Sequence, residues 1–122
     1  MARIILVIDD SVAIQKVIKI AFSKYKIHVV SVSSLDDAAK VFLSEEISFV
    51  ILGSVFALKL EQRVQLRSKI SSKPAVVLLS QHAKGDQKKV TAQGFEEFVY
   101  KPFRPNDLVS IVKRMNPSLF EE

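Results

Sequence analysis

Six residues near the middle of the chain, Phe49, Val50, Ile51, Leu52, Gly53 and Ser54, constrain the fold more than any other stretch. Four large apolar side chains in succession leave no polar face. Such a segment is stable with protein on both sides, as in a central strand of a parallel sheet. The Gly-Ser that follows ends it abruptly. In open α/β sheets the functional crevice lies at the carboxyl ends of the strands. Gly53 therefore stands where a functional side chain is expected, and it contributes only backbone.

The flanking sequence alternates in the same manner. A first apolar strand, Ile4–Ile8, ends at Asp9 and Asp10. Ser11 is placed to cap a helix in which Ile14, Val17, Ile18, Ala21, Phe22 and Tyr25 recur at three- and four-residue spacing. Residues 27–32 alternate as a second strand, with His28 and Ser31 as its polar members. Ser34 caps a second helix with inner face Leu35, Ala38, Ala39, Phe42 and Leu43, and Asp36 and Asp37 suit its positive end. From 55 to 70 the pattern is the weakest in the chain: Leu60, Val64, Leu66 and Ile70 allow a helix without defining its inner face. Pro74 precedes a fourth strand, 75–79, which ends at Ser80. Asp86 is the expected cap of a short polar helix that runs to Ala92 and is stopped by Gly94. A very short fifth strand, 98–100, closes at Lys101-Pro102. A last helix, 106–115, buries Leu108, Ile111, Val112 and Met115 before Asn116-Pro117. Residues 1–117 read as one domain and 118–122 as a tail or linker.

Five strands alternating with five helical stretches predict a parallel sheet covered on both faces by right-handed crossovers. Asp9, Asp10, Gly53, Ser80 and Lys101 then share one rim. At 122 residues the chain suffices for a single core. The absence of cysteine excludes disulfides, thiolate metal sites and a thiol nucleophile. No apolar run is long enough for a signal-peptide core or a membrane span, so a cytoplasmic protein without membrane contact is expected. The net charge of +5 is dispersed, with no more than two basic residues adjacent, which disfavours a dedicated nucleic-acid binder. His28 and His82 have no partner at metal-ligand spacing.

An acid pair after strand one, a hydroxyl residue after strand four and Lys101-Pro102-Phe103 after strand five occur in this order, each at a strand end. In these features residues 3–115 resemble the receiver domain of bacterial two-component response regulators. The resemblance implies a flavodoxin-like (βα)5 doubly wound sheet of strand order 2-1-3-4-5, and a signalling module in place of an enzyme. In that family an aspartate ending strand three accepts a phosphoryl group from a histidine kinase, and with the acid pair it holds magnesium. Asp9 and Asp10 match the acid pair. Ser80 and Lys101 match the residues that hold the phosphoryl oxygens, and Phe98 matches the aromatic whose rotamer reports phosphorylation. The acceptor position falls on Gly53.

Acyl-phosphate formation needs a carboxylate nucleophile. Glu61, the nearest acid downstream, lies eight residues on, and Ser54 has a hydroxyl but no evident base. Gln81 stands where the family prefers a small residue, and Ala57 stands where proline is usual. The expectation is a pseudo-receiver that acts without aspartyl phosphorylation. One alternative is a phosphoryl-accepting receiver with a displaced acceptor such as Ser54, and another is a basic nucleic-acid-binding module. No cofactor is expected, and Asp9 and Asp10 are left with weak magnesium affinity at most. A plain structural reading of the rim stays open: Asp9 and Asp10 as acids near a helix start, Lys101 as their counter-ion, Ser80 bonding its own loop. The resemblance places the partner-binding face on the fourth helix, fifth strand and fifth helix, with Tyr100 central and Lys88, Lys89, Lys113 and Arg114 around it. Its expected occupant is an acidic protein surface, a tethered output domain or a second copy of the domain.

Overall fold

The structure, a computed structural model, describes residues 3–80 and 85–121. Gln81 and His82 lie outside the described residues. Five parallel strands, β1 Ile4–Ile8, β2 His28–Val32, β3 Phe49–Gly53, β4 Ala75–Ser80 and β5 Phe98–Lys101, form one sheet in the order β2-β1-β3-β4-β5. This is the order expected, and the fold is α/β and flavodoxin-like. Every residue of β1 and β3 is buried, which explains their lack of polar alternation.

The two sheet faces feed separate cores. Leu6, Ile8, Val50, Leu52, Val77 and Leu79 point to one side. There they meet Ala38 of α2 (Leu35–Ser44), Phe56 of α3 (Ser54–Lys59), Ile70 of α4 (Val64–Ser71) and Val90 of α5 (Asp86–Ala92). Ile5, Val7, Phe49, Ile51, Val76 and Leu78 point to the other, against Ile18 and Phe22 of α1 (Val12–Phe22) and Leu108 and Val112 of α6 (Pro105–Met115). Each large aliphatic side chain so buried contributes about 1.5–3 kcal/mol, and a one-residue register slip would exchange the two sets. The pairing Ile8↔Leu52 and Gly53↔Leu78 therefore places the strand ends on one rim.

Local signals act as expected at several ends. The Ser11 and Ser34 hydroxyls accept the Ile14 and Asp37 N–H groups at 3.2 and 3.1 Å and start α1 and α2. Gly94 follows α5 at φ 100°, a conformation that favours glycine. Asp86 is not the cap of α5; Gly85 takes that place, and Asp86 sits in the first turn.

Elsewhere the structure corrects the sequence. The expected helix over 55–70 is two helices: α3 begins at Ser54, a 3-10 turn spans Leu60–Gln62, and Arg63 leaves the helical region at φ −126°, ψ 70° before α4. Restarting at residue 64 turns Leu66 and Ile70 inward, one helical turn apart, and leaves Val64 70% exposed. Leu43 does not join the inner face of α2 and is 78% exposed. At 100° per residue it lies about 80° around the helix from Leu35, off the apolar stripe. In α6 the fully buried residues are Leu108, Val109 and Val112, while Ile111 and Met115 are only half-buried. Pro117–Phe120 forms a 3-10 turn that buries Leu119 in the α1/α6 core. The Phe120 ring stands edge-on to Tyr25 at 5.0 Å.

Candidate functional site

The chain end of β1 delivers Asp9 into the rim and Asp10 away from it. Asp9 is 1% exposed, whereas Asp10 is exposed. A carboxylate so buried has to find partners. One oxygen, Oδ1, accepts the Ser11 backbone N–H at 2.9 Å, and the other, Oδ2, accepts Lys101 Nζ at 2.8 Å. Lys101 reaches across from the end of β5, where it pairs in register with Ser80 of β4. The expectation that Lys101 turns to one of the two aspartates is met at Asp9.

Gly53 ends β3 against this pair and serves as the N-cap of α3. A Cβ placed there would lie 3.1 Å from Asp9 Oδ2 and 3.6 Å from the Phe56 ring. The glycine thus leaves room for the Asp9 carboxylate in its Lys101-bound position. Ser54 opens α3 and is itself buried, 6% exposed. Ser80 is half-buried at the end of β4.

Gln15 of α1 also belongs to this rim, and nothing in the sequence pattern singled it out. Its Nε2 donates to the Asp9 carbonyl, to the Val32 carbonyl at 3.3 Å and to Ser33 Oγ at 3.0 Å. It straps the ends of β1 and β2 together. A polar residue on a helix carries no local mark of such contacts, which span 17 and 18 positions of sequence.

Magnesium requires near-octahedral oxygen ligation with carboxylates free to face it. Here both Asp9 oxygens are taken, Asp10 is exposed and position 53 has no carboxylate. Among the described residues no group of three or more histidine or acidic side chains stands at metal-binding separation. The residues present do not fit a magnesium ion in the manner of the resembling family.

The residues expected to form the partner face differ in what engages them. Lys88 and Lys89 are exposed on α5, and Tyr100 is 42% exposed with its O–H donating to Gln87 Oε1 on the same helix. Phe98 is half-buried against the α2–α5 core. Lys113, by contrast, holds its ammonium 5.9 Å over the Phe120 ring. Arg114 is engaged by Glu97, just before β5, through two contacts of 3.3 and 3.0 Å. That hydrogen bonding, followed by the carboxylate's charge, raises the Arg114 guanidinium above its ordinary pKa. Among the described residues no helix is long and apolar enough to cross a membrane.

Comparison with known proteins agrees with this fold. A family model described as the response regulator receiver domain matches residues 5–113. Among curated proteins none matches the chain. Among solved structures, the chemotaxis response regulator CheY4 of Vibrio cholerae superposes with a TM-score of 0.79 at 17% identity, covering 94% of this chain and 99% of that one. Full-length FixJ from B. japonicum gives a TM-score of 0.79 at 15% identity over 95% of this chain, which spans 58% of the FixJ chain. A protein described as an atypical orphan response regulator with a phosphorylation-independent regulatory mechanism gives 0.76 at 18% identity, covering 92% and 93% of the two chains. At such identities the structural likeness speaks for the fold, and the family match covers most of the chain. The chain belongs to the response regulator receiver domain family.

Proposed function

We propose that this receiver works as a phosphorylation-independent interaction module, with Gly53 in place of the acceptor aspartate. One observation carries the reading: Lys101 is bound to Asp9 Oδ2 at 2.8 Å directly beside Gly53. The ammonium that would meet phosphoryl oxygens already has an internal anion, and no carboxylate nucleophile stands at the end of β3. Ser54 is a poor substitute, since it is buried at the start of α3. Without a phosphoryl group there is no differential free energy to move the domain between two states. Its binding face is then presented constitutively, and the domain is not an enzyme. The phosphorylation-independent relative offers a precedent in the same fold.

The face proposed for docking is α5 with β5, centred on Tyr100 and rimmed by Lys88 and Lys89. Lys113 and Arg114 are left out because Phe120 and Glu97 hold them. An aromatic anchor inside a cationic rim suits an acidic protein surface, such as one on a tethered output domain; a second copy of the domain, at net charge +5, is the weaker match. The dispersed charge leaves nucleic acid the weaker reading.

The test is incubation with acetyl phosphate and magnesium, followed by intact-mass spectrometry, with Gly53→Asp run beside the parent. The parent gains no phosphoryl mass. A stoichiometric adduct on the parent overturns the proposal, and its loss in Ser54→Ala would assign the displaced acceptor.

A further inference from the structure

The split of the expected third helix creates a surface that the rim chemistry does not use. A groove of about 480 Å³ runs between α2 and α4. Ala39 and Leu43 form one wall, and Val64 and Leu66 belong to the other. Leu43 and Val64 are 78% and 70% exposed. A single exposed aliphatic residue is ordinary, but two on facing walls of one groove, backed by further apolar atoms, make a docking surface in need of a partner.

The charge around the groove says which partner. Arg63 and Lys69 line it, and none of the residues lining it carries a carboxylate; Asp36, Glu45 and Glu61 lie outside, but Asp36 neutralises Arg63 and leaves Lys69, among the described residues, as the free cation of the lining. Arg63 Nη1 contacts Asp36 Oδ1 at 2.9 Å, which ties the start of α4 to the first turn of α2 and fixes the separation of the walls. Lys69 has no ion-pair partner among the described residues. α4 also begins with no side-chain cap and no acid in its first turn, so the positive end of its dipole is complemented by nothing of its own. A second copy of a chain with net charge +5 is a poor match for a cationic groove.

We infer that the α2/α4 groove docks an acidic amphipathic helix of another protein, its apolar residues between Leu43 and Val64 and its carboxylates on Lys69 and the start of α4. Helix-in-groove recognition of this kind places apolar anchors at i, i+3, i+4 and i+7. The inference goes beyond the proposed function and does not rest on it, since the groove lies on different elements from Gly53 and Tyr100.

The probe is a fluorescent synthetic helical peptide with leucines at those spacings and glutamates elsewhere, compared with the same peptide carrying lysine for glutamate. Anisotropy gives affinity, and backbone amide shifts of the labelled protein give the location. The acidic peptide binds at least about tenfold more tightly than the basic one, and less tightly as salt rises. Its shifts centre on residues 39–43 and 63–69. The double variant Leu43→Ser with Val64→Ser, both exposed and expected to fold, weakens binding about tenfold, and Lys69→Glu weakens it and flattens the salt dependence. Absence of binding, equal binding of both peptides, indifference to these variants, or shifts confined to residues 86–101 would each overturn the inference. A concentration-dependent dimer in sedimentation that the double variant abolishes would overturn it too, by giving the groove to a second copy.

Discussion

Two ion pairs sit at opposite ends of β5. At its carboxyl end Lys101 meets Asp9 at 2.8 Å, and just before its start Glu97 meets Arg114 at 3.0 Å. The distances are nearly equal, but the surroundings are not. The Asp9 side chain is 1% exposed and that of Lys101 28%, whereas Glu97 and Arg114 keep 34% and 61% of theirs in water. In water each partner of a broken pair is simply hydrated again. Inside the rim, removal of one partner strands a desolvated charge. The two pairs should therefore behave differently although their lengths are alike, and the difference marks the rim as the place where the fold depends on a residue of the candidate site.

The largest effect is expected from removing the ammonium. Lys101→Met leaves Asp9 Oδ2 buried with no counter-charge, and stability in urea should fall by about 3 kcal/mol, near the low end for a buried pair because the lysine is partly exposed. An unchanged midpoint would mean that the two pairs do not differ in kind.

Asp9→Asn sharpens the comparison by breaking the same pair from its other side. Asparagine keeps an acceptor for the Ser11 N–H, and Lys101, the more exposed partner, can turn its ammonium to water. A loss of about 2 kcal/mol is expected, smaller than for Lys101→Met. A larger loss would show that Lys101 is the more trapped of the two. Gly53→Ala probes the space around the pair. Its Cβ would meet Asp9 Oδ2 at 3.1 Å, so a carboxylate already held at both oxygens must shift slightly. The expected cost is about 1 kcal/mol, and Lys101→Met should reduce that cost by freeing the carboxylate to move.

The strands were legible because each is an apolar or alternating run bounded by a turn or cap, whereas their order came from the resemblance to receiver domains and not from the pattern. The rim was legible as a set of strand ends, and with it the Lys101 contact, since an ammonium opposite two acids has little else to meet. Which aspartate goes inside was not legible, because that depends on the turn in which Ser11 donates to Asp9. The 55–70 stretch misled because Leu60, Leu66 and Ile70 are all buried but belong to a 3-10 turn and a separate helix. One helical period cannot relate them. Leu119 and Phe120 were missed because two apolar residues after a Pro carry no periodicity, although they close the α1/α6 core. Likewise the charges of Lys113 and Arg114 could be counted in the sequence, but not their engagement by Phe120 and Glu97.

The smallest effect is expected at the exposed pair. Arg114→Ala removes two hydrogen bonds to Glu97, yet the partly exposed Glu97 carboxylate is rehydrated, and the thermal midpoint should stay within measurement error. The pH dependence follows the same logic. Arg114 is raised above its ordinary pKa by Glu97, so whatever stability this shift provides is present in full below the unfolded-state value and is lost only as pH climbs through the folded-state value. That window lies in strong alkali, so parent and Arg114→Ala should give superimposable stability profiles across the neutral range. A double-mutant cycle of Arg114→Ala with Glu97→Ala should likewise return a coupling near zero, against a clear coupling for Asp9→Asn with Lys101→Met. Comparable couplings at the two ends of β5 would mean that the Glu97 pair is shielded far more than its exposure implies, and the contrast between the rim and the opposite edge would fall.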